Sequence, residues 1–116
     1  MVIKQYTALA ATHFNNDAAQ GVAARVVLGK QDGAPNFCMR VFEFAPGGHT
    51  PRHAHAWEHE MFIHAGQGEI FGNGRWQPLT AGSAVFIPGD EEHQMRNTGK
   101  EMLVVVCLVP GTAPEL

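Results

Sequence analysis

The nine residues from Arg52 to Glu60 read RHAHAWEHE and hold three histidines and two glutamates. Neutral imidazoles and carboxylates are the usual ligands of divalent first-row metals. His53 and His55 are one residue apart. On a strand, that spacing puts both side chains on one face. His93 follows the tight turn PGDEE and can arrive from another strand. Glu58, His59 and Glu60 compete for the remaining place. His59 and Glu60 fall on opposite faces of a strand, so only one of them faces inward. With His59 inward, Met61 and Ile63 follow it and Glu60 points out. With Glu60 inward, Phe62 and His64 follow, which buries His64 without an obvious partner. The first arrangement costs less. Glu58 is then either a partner of a ligand or solvated. His13, His49 and His64 read as surface or interface residues.

The elements that must position these groups are short. The 13 glycines and 7 prolines break the 116 residues at close intervals. Between the breaks lie VAARVVL, NFCMRVFEF, EMFIHA, EIF, SAVFIP and EMLVVVCLVP, all of which read as strands. The GNG between Phe71 and Arg75 is a hairpin turn, because Asn-Gly tolerates positive φ. Residues 7–20 can carry a helical turn, and residues after 21 hold no helical period. Many short strands at regular spacing predict an all-β sandwich or small barrel. The expectation is one domain over residues 1–116, with an N-terminal arm of about 20 residues.

The net charge of −3, with eight scattered Lys and Arg, argues against a nucleic-acid partner. No apolar run approaches the ~20 residues of a membrane span, so no membrane partner is expected. The N-terminus lacks the long apolar region of a signal peptide, which makes a cytoplasmic location the default expectation. Cys38 and Cys107 are too few for a disulfide scaffold and read as buried free thiols.

The segment from Gly47 to Gly66 resembles the first motif of the cupins: Gly, five residues, His-x-His, three or four residues, Glu, six residues, Gly. The segment from Gly82 to Asn97 resembles the second: Gly, five residues, Pro-x-Gly, two residues, His, three residues, Asn. Asp90 stands where the family usually has Gly. Counting forward from His55 places the family's glutamate at Glu60, whereas counting back from Gly66 lands on His59. APNFCMR, APGG, RHAHAWEHEMF and CLVP also resemble a subgroup of small cupins that bind manganese through four histidines. The resemblance implies a jelly-roll, or double-stranded β-helix, barrel. It implies His53, His55, His59 and His93 as ligands of one divalent metal ion per chain, with Glu60 outside the ligand set. It favours manganese, then iron; zinc, nickel, cobalt or copper also suit such donors. It places Cys107 inward near the metal, and it implies a homodimer, with the face of Phe62 and His64 as a contact.

Four neutral imidazoles leave the full +2 charge of the ion uncompensated. On part of an octahedron they leave two adjacent positions for a substrate and dioxygen, whereas a tetrahedral zinc site would be closed. The expected function is an oxidoreductase of dioxygenase type acting on a small organic substrate. The alternatives are a non-redox isomerase or lyase, and a ligand-binding barrel without turnover. Cys38, Arg40, Phe42 and Phe44 share one face of their strand. If that face is inward, Arg40 needs a carboxylate partner or an anionic substrate, which it could orient. Cys107 would shape the pocket and be open to oxidation. Thr50 and Met95 complete the mouth. No acidic residue clearly reaches the site, so acid–base work would fall to a metal-bound water. Trp57 and Trp76 read as packing or dimer-contact residues, with Trp57 bracing the turn that returns His59.

Overall fold

The computed structural model describes all 116 residues, and nine strands account for most of them. They are β1 (Thr12–Phe14), β2 (Gln20–Leu28), β3 (Phe37–His49), β4 (His59–Ala65), β5 (Gln67–Gly72), β6 (Arg75–Thr80), β7 (Ala84–Ile87), β8 (Gln94–Asn97) and β9 (Leu103–Pro110). All pairings are antiparallel, in the order β6-β5-β8-β3-β9-β4-β7, with β2 beside β3 and β1 beside β2. The sheet curls into a half-barrel. The thirteen-residue β3 holds it together. It pairs with β2 and β9 along most of its length and meets β8 at His49↔Arg96.

The expected strands all form. Three short strands, β1, β6 and β8, lay outside the apolar runs. Pro78 and the polar residues of RWQPLT are tolerated because β6 ends the sheet and needs a partner on one side only. The helical turn expected in residues 7–20 is a single 3-10 turn at Tyr6–Ala8, and part of the expected arm is β1. The hairpin turn between β5 and β6 is Asn73-Gly74, both at positive φ (50° and 76°), as a two-residue turn that follows strand twist requires.

Period-two alternation builds the interior. On β9, Leu103, Val105, Cys107 and Val109 point inward. They pack with Phe44, Ile63, Ile70, Leu79, Ile87 and Met95 toward one end and with Cys38 and Ala113 toward the other. The opposite face of β2, β3 and β9 buries Val27, Val41 and Val104 under Tyr6 and Leu9 of the N-terminal arm. The arm therefore seals the outside of the sheet. Arg25 ties it down by donating from Nε to the Leu9 carbonyl at 2.9 Å. Asn97 is buried but satisfied. Its amide donates to the carbonyls of Phe44 (2.8 Å) and Glu101 (2.7 Å), and its oxygen accepts from the Gly99 N–H (2.8 Å). At the β4–β5 turn, Gly66 sits at φ +90°, and a Cβ there would lie 2.4 Å from the Met102 carbonyl oxygen. Only glycine fits.

Candidate metal centre

Two loops and one strand build the site. The β3–β4 loop carries His53 and His55, β4 opens on His59, and the β7–β8 loop ends on His93. Backbone bonds stitch the loops together. His53 N–H donates to the His93 carbonyl at 3.1 Å, and His93 N–H returns the bond at 2.9 Å. Asp90 N–H donates to the His55 carbonyl at 2.7 Å. Asp90 adopts φ +67°, a conformation glycine takes freely and aspartate tolerates, which accounts for its place in the motif. Gly89 lies so close to the loop that a Cβ would come 2.3 Å from the Ala56 carbonyl oxygen. Thr50 closes the other end. Its hydroxyl accepts from Met95 N–H at 2.9 Å, and its own N–H donates to the Met95 carbonyl at 3.0 Å.

The four imidazoles come together. Ring nitrogens of His53, His55 and His93 all lie within 4.8 Å of one another. His59 joins through its Nε2, 2.8 Å from Nε2 of His55, with its ring 5.1 Å from that of His93. Two nitrogens bound at right angles to one ion, each at roughly 2.1 Å, would be about 3 Å apart. His55 Nδ1 lies 2.8 Å from the Trp57 carbonyl and His93 Nδ1 lies 2.8 Å from the Glu91 carbonyl. A carbonyl only accepts, so each Nδ1 carries the proton and each Nε2 keeps its lone pair. His93 Nε2 is buried and has no hydrogen-bond partner, a state that a bound ion resolves. The donor set therefore fits a divalent metal.

Burial, aided by neighbouring charge, holds the rings of His53, His55 and His59 in the neutral form that binds metal. His59 is pushed down to about 3, first by burial, then by the Arg40 guanidinium and the neighbouring histidines. His53 is pushed down to about 4 by burial and then by His93 and His55. Burial also lowers His55, against its bond to the Trp57 carbonyl.

β4 turns His59, Met61 and Ile63 inward, while Glu60, Phe62 and His64 are exposed. Glu58 is exposed too, and it raises the Glu60 carboxyl through a hydrogen bond, with burial and its charge adding to the effect. Neither glutamate lines the cavity that the histidines face. That cavity has a volume of about 340 Å³. Phe42, Phe44, Met61, Met95 and Val105 form its apolar wall, with Thr50 and Trp57 at the loop side.

Arg40 and Cys107 both face the cavity. Arg40 Nη2 donates to Cys107 Sγ at 3.0 Å and lies 3.4 Å from His59 Nδ1, and Nη1 donates to the Glu115 carbonyl at 3.3 Å. The guanidinium also stands 5.0 Å from the Phe42 ring centroid. No carboxylate pairs with it. Burial raises the Cys107 thiol, outweighing the downward pull of Arg40.

Two features had no signal in the spacing. The Trp57 ring stacks on His55 at 4.1 Å and 8°, which fixes that imidazole more directly than by bracing a turn. Pro114 and Leu116, beyond the last strand, fold back to line the cavity. Trp76 lies well away, on β6, against Phe71 and the guanidinium of Arg96.

A cupin-domain family model matches residues 40–109, more than half of the chain, and the chain belongs to the cupin family. Among curated proteins, it is 35% identical to Auxin-binding protein 1 of Arabidopsis thaliana, across 57% of this chain and 38% of that protein. It is 32% identical to the 1-methylthio-D-xylulose 5-phosphate methylsulfurylase of Rhodospirillum rubrum, across 61% of this chain and 46% of that protein. The chain thus spans less than half the length of either curated relative. Among solved structures, the polyketide cyclase RemF from Streptomyces resistomycificus superposes with a TM-score of 0.90 at 28% identity, covering 98% of this chain and 82% of that one. Similar proteins therefore perform several different roles on this framework. No helix of the chain is long and apolar enough to cross a membrane.

Proposed function

We propose that this cupin holds one divalent metal ion on His53, His55, His59 and His93 and acts as an oxidoreductase of dioxygenase type on a small organic molecule. The observation that carries the reading is the lining of the cavity. Four imidazoles form one wall, apolar side chains form most of the rest, and no Asp, Glu or Lys is present. No carboxylate or lysine lines the cavity to act as acid or base for a non-redox isomerase or lyase, so proton transfer there would fall to a metal-bound water. The four histidines would hold the divalent ion, which would supply redox chemistry toward dioxygen and a bound substrate. Manganese is the first choice and iron the second. The chain's own part is to keep His53, His55 and His59 neutral, to fix the tautomers of His55 and His93 through carbonyls, and to exclude water with Phe42, Met61, Met95 and Val105.

Oxygen uptake tests the reading. Protein loaded with Mn(II) or Fe(II) is expected to consume dioxygen with at least one of a panel of small enols, diketones and alkenyl-phenols, and His59→Ala is expected not to. No uptake with either metal across the panel contradicts it. The likeness to RemF over 98% of this chain favours a second reading, polarisation of a substrate carbonyl without redox change. That reading expects turnover with Zn(II) or Ni(II) in the absence of oxygen.

The outer face of β4 and β7 supports a homodimer. Phe62 and Phe86 are 49% and 61% exposed there, diagonal to one another across the Glu60↔Phe86 pair. Two free thiols suit a reducing, cytoplasmic setting.

A further inference from the structure

The cavity wall contains a positive charge that no side chain of the protein neutralises. Arg40 is 7% exposed, in a strand whose neighbouring inward residues are Cys38 and Phe42. A guanidinium keeps its charge under all ordinary conditions, and burying it unpaired is costly. Arg40 donates to a thiol sulfur and a backbone carbonyl, and the His59 Nδ1 that stands 3.4 Å away carries the ring proton when Nε2 faces the metal and so accepts nothing from it. Its Nε, also buried, has no partner at all. Glu115 is not the missing counter-ion. Its carboxylate accepts from Lys30 N–H at 2.8 Å, and only its backbone carbonyl reaches Arg40. The four histidines add no negative charge to the wall, and a bound divalent ion would add more positive charge.

From this arrangement we infer that the cavity takes a substrate carrying one anionic oxygen, a carboxylate or an enolate. That oxygen pairs with Arg40, and the apolar body lies against Phe42, Met61, Met95 and Leu116. The inference rests on the reading of this cavity as the substrate site. An anionic oxygen outcompetes the neutral Glu115 carbonyl at 3.3 Å, because charge-assisted hydrogen bonds are the stronger kind. Arg40 is then the residue that selects the substrate's head group, and the apolar wall selects its body. The charge balance also explains why a barrel interior would keep an arginine here. Unliganded, it carries the cost of an unpaired charge, and the substrate relieves that cost on binding.

Calorimetric titration at neutral pH tests this with two matched pairs, phenylacetate against phenylacetamide and 4-nitrophenolate against nitrobenzene. Each pair is run on metal-loaded and on chelator-treated protein. The expected result is binding of at least one anion roughly tenfold or more tighter than its neutral partner in the chelator-treated protein. The pair that shows the preference identifies the head group. Arg40→Met is expected to abolish the preference, and Arg40→Lys to keep part of it. An anion preference seen only with metal present, and retained in Arg40→Met, would overturn the inference, because the ion would then be the anion's partner. So would the absence of any preference in both pairs. If Arg40→Met does not fold, the wild-type comparison without metal and the Arg40→Lys variant still decide. Because the readout is binding without metal, it stands apart from any failure to find turnover.

Discussion

The two ring nitrogens of His93 are placed as a metal ligand's would be, one bonded and one free. Its Nδ1 proton is held by the Glu91 carbonyl, and its Nε2 is buried with nothing to accept from. His55 is held the same way by the Trp57 carbonyl and is further clamped by the Trp57 ring. Removing that ring while keeping the backbone tests how much the clamp matters. Trp57→Leu is expected to weaken metal binding roughly tenfold, the usual scale for groups that orient a ligand from behind. A dissociation constant equal to wild type would show that the stack is only packing. At this scale the sequence was informative where period two governs, since the inward place of His59 and the outward place of Glu60 follow from strand parity. It was silent on the stack, because one stretch of chain does not reveal that Trp57 turns back two residues to cover His55. The partner of Arg40 was left open between a carboxylate and a substrate. The structure removes the carboxylate, since no acidic side chain pairs with Arg40 and that of Glu115 is bound by the Lys30 N–H.

The β3–β4 and β7–β8 loops act as one unit. Three backbone bonds join them, and Gly89 permits their close approach. Gly89→Ala would drive a methyl group into the Ala56 carbonyl, whose oxygen lies 2.3 Å away and is backbone rather than a flexible tip that could yield. The expected cost is about 1 to 3 kcal/mol of stability together with weaker metal binding, read from the denaturant midpoint and from metal content. Asp90→Gly, at φ +67°, is the contrasting change and is expected to leave stability equal or slightly higher. Equal midpoints for Gly89→Ala and wild type would mean the loops do not depend on this approach. The strands rich in Val, Ile and Phe were legible because their burial requires that composition. β6 and β8 were not legible, because β6 lies at the end of the sheet with polar residues and Pro78. β8 buries only Met95 and Asn97, the second a polar residue that satisfies itself through backbone carbonyls.

The whole molecule divides its faces by function. The inner face carries the cavity and the centre, while one side of the outer face is covered by Tyr6 and Leu9. The β4–β7 side remains uncovered, with Phe62 and Phe86 exposed beside the partly buried Val106 and Leu108 of β9. If two copies meet there, Phe62→Glu with Phe86→Glu is expected to halve the mass seen by light scattering and leave metal content unchanged; an unchanged mass argues against that face. The fold class was legible from turn spacing and strand composition together. The return of Pro114 and Leu116 to the cavity was not, because Ala113 packs there against Cys38, which is far from it in sequence, as well as against Cys107 and Val109. Central to the proposed function is that four histidines, and no glutamate, hold the metal. Metal content of purified wild type, His59→Ala and Glu60→Ala, measured by mass spectrometry, tests it most directly. The expected result is one ion per chain in wild type and in Glu60→Ala, and a large loss in His59→Ala. Loss in Glu60→Ala with retention in His59→Ala would contradict the account.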